Sequence, residues 1–119
     1  MLFALLIYEN PSDFERRDPS IEKGVYVGAW RKYYQAMVEA GIHVGGEPLD
    51  VPETATTVRW RDSKRLIQDG PFAGTKEQLG GYCILDCEDL DTALRYAAMI
   101  PSAKYGSVEV RPVMVMGPH

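Results

Sequence analysis

The side chains best suited to chemistry lie in one glycine-rich segment, DGPFAGTKEQLGG, at residues 69–81. Its charged and aromatic members are Asp69, Phe72, Lys76 and Glu77. Asp69 could serve as a general base or orient one, while Lys76 could neutralise an anionic intermediate and Phe72 could exclude water. Structureless connections of this length are commonly functional. The segment therefore predicts the roof of a substrate cleft, and the alternative is that Asp69 only begins a turn.

The same segment carries several glycines, among them Gly70, Gly80 and Gly81. Glycine permits positive φ and close approach of the backbone to a neighbouring group. The Asp69 carboxylate could also accept hydrogen bonds from backbone N–H groups at Phe72 and beyond, as in an Asx turn. We expect this structural role to anchor the segment whether or not the protein is an enzyme.

Three further side chains could serve the same site. His43 could abstract a proton near neutral pH, although a lone histidine in a strand is more often merely packed or exposed. Arg59 could bind a carboxylate substrate, and a solvated polar face is the alternative. Tyr34 belongs to a helical stripe and could offer its hydroxyl to a cleft.

The cysteines do not indicate a metal or redox site. Cys83 and Cys87 lie in an apolar run that predicts a strand, where positions four apart are about 13 Å apart, too far for a disulfide. They do not form a C-x-x-C pair, and the sequence has no nucleotide-binding motif. We expect two buried thiols, no metal, no cofactor and a cytoplasmic location.

Composition excludes several classes of protein. The chain has 119 residues, which predicts a single domain over 1–119, and its net charge of −4 disfavours a nucleic-acid partner. The apolar run Leu2 to Tyr8 is too short to span a membrane.

The predicted elements follow from hydrophobic patterning. LFALLIY predicts a strand buried on both faces, and the polar run ENPSDFERRDPS that follows it predicts a loop. Residues 20–40 predict a helix ended by Gly41. Residues 56–68 predict a hairpin with a turn at Asp62-Ser63-Lys64. YCILDC predicts a strand, a helix follows with Asp89 as its N-cap, and VEVRPVMVMG predicts a long extended segment.

This order predicts an α+β fold of the ferredoxin-like kind, with an antiparallel sheet, two helices on one face and an inserted hairpin. Two helices cover only one face of a sheet whose strands are apolar on both. We therefore expect a homodimer that packs sheet against sheet, in which Trp30 and Trp60 are core or dimer residues.

A family resemblance extends this interpretation. The string DGPFAGTKEQLGGYCILDCEDLDTAL and the following AAMIPSAKYGSVEVRPV resemble the YCII-related family, specifically its DGPF branch. MLFALLIYEN and AGIHVGGEPL are similar to it as well, so the resemblance covers nearly the whole chain. It implies a dimeric α/β barrel, in which two ferredoxin-like protomers join their sheets.

The resemblance also implies two kinds of function. Some YCII proteins are enzymes, including a dehydrochlorinase that uses a His and Asp pair, and the wider superfamily includes isomerases and cofactor-free monooxygenases. The expectation is therefore an acid–base isomerisation or elimination on a small molecule. The alternative is a non-catalytic ligand-sensing module associated with an extracytoplasmic-function sigma factor, as similar proteins are encoded beside such factors.

The chain departs from the family pattern at three places. Its first long helix has no histidine, and Trp30, Tyr33 and Tyr34 occupy the stretch where the catalytic type of His lies. Gly74 stands where relatives often have an acidic residue, and Ser63 stands where a turn glycine is common. The first departure argues against a His–Asp mechanism here.

Overall fold

A computed structural model describes residues 1–117, which form a four-stranded antiparallel sheet, a separate two-stranded hairpin and three α-helices. The main sheet contains β1 (Leu2–Glu9), β2 (His43–Pro48), β5 (Gln78–Asp86) and β6 (Ser107–Pro112). The hairpin contains β3 (Thr56–Arg61) and β4 (Lys64–Asp69). The helices are α1 (Pro11–Glu15), α2 (Val25–Glu39) and α3 (Leu90–Ala98).

The strand order of the main sheet is β2-β5-β1-β6, with every pair antiparallel. Leaving the hairpin aside, this is the βαββαβ arrangement of ferredoxin-like folds, and it confirms the predicted fold class. The hairpin is inserted between β2 and β5. Its turn residues Asp62 and Ser63 both have positive φ, which explains why a glycine would suit position 63.

The core lies between the sheet and the two long helices. On β1 the side chains of Phe3, Leu5 and Ile7 are buried, whereas those of Leu6 and Tyr8 on the other face are only half-buried. The prediction that β1 is buried on both faces is therefore wrong for the single chain. The other core side chains come from α2, α3 and β5 and the residues that follow them: Tyr33, Met37, Cys83, Leu85, Cys87, Ala93, Ala97 and Ile100.

Both cysteines are unpaired and buried in this core, as predicted. Burial raises the pKa of Cys83 to about 11, so its side chain stays a thiol at neutral pH. The predicted cap of α3 is also correct, since the Asp89 carboxylate accepts a hydrogen bond from the backbone N–H of Thr92 at 2.8 Å.

Several predicted boundaries are wrong. The α-helix predicted over 20–40 begins at Val25, because Glu22, Lys23 and Gly24 all have positive φ and form a tight turn before it. The polar run after β1 is not only a loop, since it contains α1, whose N-cap Asn10 accepts a hydrogen bond from the Asp13 N–H. The last strand ends at Pro112 rather than continuing through residues 113–116.

The glycine-rich segment is shorter as a loop than the sequence indicates. Asp69 is the last residue of β4, and β5 begins at Gln78, so Gly80 and Gly81 are strand residues. Only residues 70–77 connect the two strands. Within residues 1–117 no helix is long and apolar enough to cross a membrane.

Candidate functional site

A cleft of about 670 Å³ opens between α2 and the sheet. Its helix side is aromatic and its floor is formed by β1, β2 and β5. The side chains and backbone that matter for chemistry are contributed by Ile7, Glu9, Arg17, Tyr26, Trp30, Tyr33, Tyr34, Met37, Glu47, Gly80, Gly81 and Cys83. A concave, mostly apolar pocket with few polar groups is typical of a small-molecule site.

Two acidic residues line the cleft floor, and the buried one is Glu9, the last residue of β1, whereas Glu47 on β2 is exposed. Glu9 continues the inward-facing positions of Phe3, Leu5 and Ile7, so the pleat directs its side chain toward the helices. The residue is only 2% exposed. A carboxyl at this position is a proton donor or acceptor shielded from bulk water.

Arg17 holds the Glu9 carboxyl in place. Its Nη2 donates to Glu9 Oε2 at 3.3 Å and to the backbone carbonyl of Gly80 at 2.9 Å. Its Nη1 donates to the carbonyl of Leu49, and its guanidinium lies over the Phe14 ring at 4.6 Å. One arginine therefore connects the end of β1, the chain after β2 and the start of β5.

Because Gly80 has no side chain, it leaves room for the side chains of Glu9 and Arg17. The register between β1 and β5 shifts at this point, where Ile7 pairs with Gly81 and Tyr8 with Leu79, so Gly80 is the extra residue of a bulge. A Cβ at position 80 would lie 2.8 Å from Glu9 Cδ and 3.1 Å from Arg17 Nη2. The absence of a side chain at position 80 is thus a requirement of the site.

The surroundings of Glu9 and Tyr26 favour the protonated form of each side chain. Burial raises the pKa of Glu9 above its usual value, and the neighbouring Arg17 opposes this rise. The Tyr26 side chain lies close to Glu9, and burial raises its pKa to about 12. Tyr26 therefore stays neutral and can donate a hydrogen bond.

Two predicted site residues are brought together beside this cleft. The rings of Tyr34 and His43 meet edge to face, with centroids 4.9 Å apart. Tyr34 lines the cleft and is half-exposed at 53%, whereas His43 lies on β2 behind it. Of this pair only Tyr34 lines the cleft, and His43 contacts the Tyr34 ring without being part of the cleft lining in residues 1–117.

The other predicted residues belong to the hairpin region. Asp69 pairs with Thr56, and its exposed side chain does not contribute to the cleft lining in the part of the chain that the structure describes. The Arg59 guanidinium lies 5.1 Å from the centroid of the Phe72 ring, which is 76% exposed. Phe72 lines a second groove instead, between the hairpin and the outer face of the sheet. A role of Asp69, Arg59, Phe72, Lys76 or Glu77 in substrate handling stays a prediction.

The hypothesis that Asp69 anchors the loop is not supported by the contacts. Among residues 1–117 its carboxylate accepts no hydrogen bond, and its side chain is exposed. Gln78 holds the loop instead, as its Nε2 donates to the carbonyls of Ala73 at 2.7 Å and Thr75 at 2.5 Å. The loop begins at Gly70, whose φ is +100° and whose N–H donates to the Ala55 carbonyl.

Sequence reasoning missed Glu9, Arg17 and Tyr26. The signal for Glu9 was present, since the apolar alternation of β1 places position 9 on the inward face. Arg17 lies in the polar run that was interpreted only as a loop. Within residues 1–117 no group of three or more His, Cys, Asp or Glu side chains is placed to hold a metal ion.

Comparison with known proteins assigns the family. The model of the YCII-related domain matches residues 1–117. An uncharacterised protein of Rhizobium meliloti (strain 1021) is 38% identical over 124 residues, covering 99% of this chain and 96% of that protein.

A solved structure has the same fold. It is the 5-chloro-2-hydroxyhydroquinone dehydrochlorinase TftG from Burkholderia phenoliruptrix AC1100, in complex with 2,5-dihydroxybenzoquinone. The likeness has a TM-score of 0.53 at 21% identity and covers 96% of this chain and 94% of TftG. From the sheet order and the matched domain together, this chain is a member of the YCII-related family.

Proposed function

We propose that this protein is a small-molecule enzyme that catalyses a proton-transfer reaction, an isomerisation or an elimination, in the cleft between α2 and the sheet. The observation that carries the proposal is the buried carboxyl of Glu9, held by Arg17 on the cleft floor. Its raised pKa brings it closer to neutral pH, where an acid–base group works best.

The mechanism that fits this geometry begins with removal of a proton from a substrate carbon by the Glu9 carboxylate. The C–H electron pair then forms a double bond. In an elimination a leaving group departs with its own electron pair, and in an isomerisation Glu9 returns the proton to a different carbon. The Arg17 guanidinium fixes the carboxylate and stabilises its charged form.

The cleft walls indicate the kind of substrate. Trp30 and Tyr34 on α2 present aromatic surface, and Met37 and Ile7 add apolar surface deeper in. Such walls suit a small planar ring. The ligand of the TftG structure is a ring compound with oxygen substituents, which is compatible with this substrate class.

The test is a panel of hydroxylated, carboxylated and halogenated ring compounds assayed with wild type and Glu9→Gln. We expect turnover of at least one compound and a loss of roughly 10² to 10⁴ in kcat for Glu9→Gln. Glu15→Gln, on the exposed side of α1, is the matched control and should behave like wild type.

Two further variants test the residues that the sequence singled out. If Asp69→Asn or His43→Gln abolishes turnover while Glu9→Gln does not, the base is one of those residues and the proposal is wrong. Calorimetric binding of a ring compound without turnover would favour the ligand-sensing alternative. The association with a sigma factor stays a prediction.

We also propose that the protein is a homodimer joined through the outer face of the main sheet. This face carries the partly exposed side chains of Leu6, Tyr8, Leu79, Tyr82 and Ile84. The hairpin extends from the same side, with Trp60 67% exposed and Val58 59% exposed. An apolar surface of this extent on a protein in water is typical of an interface.

A further inference from the structure

The mouth of the cleft carries a cation that has no partner within residues 1–117. Arg31 lies on α2 and lines the cleft, and its side chain is exposed. The other arginine of the lining, Arg17, is already held by Glu9 and by two backbone carbonyls. Arg31 forms no ion pair with any carboxylate of the described chain. Its guanidinium is therefore free to bind a ligand that enters the cleft.

Helix α2 presents two rows of side chains to the cleft. The inner row is apolar or aromatic and is buried or half-buried: Tyr26, Trp30, Tyr33 and Met37. The next row borders the solvent and has a spacing of four residues: Val27, Arg31 and Gln35. Side chains four residues apart on a helix are neighbours, so the guanidinium of Arg31 and the amide of Gln35 lie together at the mouth. Both groups donate hydrogen bonds.

An aromatic wall lies between the deep part of the cleft and this mouth. The Trp30 ring meets the rings of Tyr26 and Tyr33 edge to face, with centroids 6.3 Å and 6.0 Å apart. The Glu9 carboxyl is buried deep in the cleft, and Arg31 is exposed at its edge. A ring compound that packs on this wall therefore has an acid–base group on its inner side and a cation on its outer side.

The acidic residues of the lining leave Arg31 without compensation. Glu9 is paired with Arg17 at 3.3 Å. Glu47 pairs with Tyr82 in the sheet, and cross-strand partners project from the same face, so the pleat directs the Glu47 side chain to the outer face with Tyr82. The side chains that face the cleft thus carry a net positive charge whether Glu9 is ionised or protonated. Such a charge favours an anionic ligand.

We propose that Arg31, assisted by Gln35, binds the carboxylate of the substrate, so that the protein acts on carboxylated ring compounds. A guanidinium can donate two parallel hydrogen bonds to one carboxylate, which fixes the orientation of the bound molecule as well as its position. The carboxylate stays at the mouth while the ring extends toward Glu9. Arg31 is thus a specificity-determining residue that does not touch the reacting atoms. The substrate assignment rests on the proposed function, whereas the binding of a carboxylate does not.

The first test compares benzoate with its neutral analogue benzamide, using ¹H–¹⁵N NMR titrations of the wild-type protein at neutral pH. We expect benzoate to bind roughly three- to tenfold more tightly, with the largest chemical-shift changes at the residues that line the cleft. Equal affinity for the two probes would overturn the proposal. Shift changes centred on the hairpin would place the carboxylate at its exposed cationic side chains, and would overturn it as well.

The second test removes the cation. Arg31→Gln should weaken benzoate binding by roughly three- to tenfold and leave benzamide binding unchanged. Lys32→Gln is the matched control, because it removes the same charge from the adjacent exposed position, which is outside the cleft lining in the described chain. It should leave the affinity for both probes unchanged. Equal weakening of benzoate binding by the two substitutions would show an effect of net charge alone and would overturn the proposal.

The carboxylate site and the proposed reaction can fail separately. If the substrate panel yields a carboxylated substrate, Arg31→Gln should raise its KM and change kcat little, because the contact is the same in the ground state and the transition state. An unchanged KM would overturn the carboxylate site and leave the reaction intact. Arg31-dependent binding of benzoate without turnover of any ring compound would overturn the reaction and leave the site. Binding of neither probe would overturn the site, whatever the panel shows.

Discussion

Glu9 illustrates how neighbours determine the chemistry of a single carboxyl. Removal from water favours its neutral form, and the guanidinium of Arg17 favours its charged form. Burial is the larger effect, so the folded protein binds the Glu9 proton more tightly than the unfolded chain does. This difference has a direct consequence for stability.

The first prediction concerns the pH dependence of unfolding. The stabilisation from the Glu9 proton is complete below the ordinary pKa of 4.5 and is lost as pH rises through the raised value in the folded state. The Glu9→Gln variant has a neutral amide that does not titrate, so it lacks this pH-dependent contribution to stability. Its free energy of unfolding should therefore increase relative to wild type as pH rises through that interval, as measured by urea unfolding at a series of pH values.

Glu15→Gln serves as the control, because it removes a carboxyl from the exposed side of α1. Its difference from wild type should stay constant over the same pH range. A constant difference for Glu9→Gln as well would show that burial does not favour the neutral form of Glu9.

The second prediction concerns the glycine that faces this carboxyl. Gly80→Ala places a methyl group 2.8 Å from Glu9 Cδ, so Glu9 and Arg17 must move. We expect a loss of about 1–3 kcal/mol in the free energy of unfolding, as for other overpacked sites. Gly74→Ala is the matched control, since a Cβ added at position 74 would have nothing within 4 Å and the φ of Gly74 is not positive. An equal effect of the two substitutions would contradict the steric argument.

At the scale of elements, the long periodic segments were predictable. Hydrophobic patterning and turn-forming residues predict strand β1, helices α2 and α3, and the hairpin with its turn. The five-residue helix α1 was not predictable, because a helix of little more than one turn is too short to show a hydrophobic period. The chain that leaves this helix contains Arg17, so the missed element explains why that residue of the site was missed.

The candidate site was harder to predict than the fold because its parts meet only through tertiary structure. Arg17 bonds with Leu49 and Gly80, which are 32 and 63 residues away in the chain. The segment at residues 69–81 has an unusual composition, yet Asp69 and Lys76 are exposed and Glu77 is only half-buried. Of the whole segment only the closing glycines, Gly80 and Gly81, line the cleft. The composition of residues 69–81 predicts Asp69 as the acidic group of the site. In the folded protein the buried acidic group of the cleft is Glu9 instead.

The third prediction concerns the loop at residues 70–77. Gln78→Ala removes two hydrogen bonds to loop carbonyls and should increase amide hydrogen exchange across the loop. Asp69→Ala removes no hydrogen bond within the described chain and should leave that exchange unchanged. The opposite result, with the loop opened by Asp69→Ala alone, would restore Asp69 as the anchor.

At the scale of the whole molecule, the shape is less compact than that of a typical domain of this length. The radius of gyration is 16.1 Å, whereas a compact domain of this length has about 13.5 Å. The molecule measures 48 × 45 × 20 Å, so it is thin in one direction. A sheet with helices on one side only, and a hairpin that extends beyond it, accounts for this shape.

The fourth prediction tests the dimer through one residue of the outer sheet face. Leu6 lies there between Tyr82 and Glu109 on the neighbouring strands. Leu6→Glu places a charge at the centre of the proposed interface, where its desolvation would be costly. Sedimentation equilibrium should therefore show a dimer for wild type and a monomer for the variant.

Leu94→Glu is the matched control because it makes the same change on α3, where the side chain is 46% exposed. This face of α3 lies away from the outer face of the sheet, so the variant should remain a dimer. Circular dichroism of both variants separates dissociation from unfolding. A wild-type protein that sediments as a single 13.3 kDa chain at micromolar concentration would contradict the dimer outright, and the exposed side chains of the sheet and hairpin would then need a different partner.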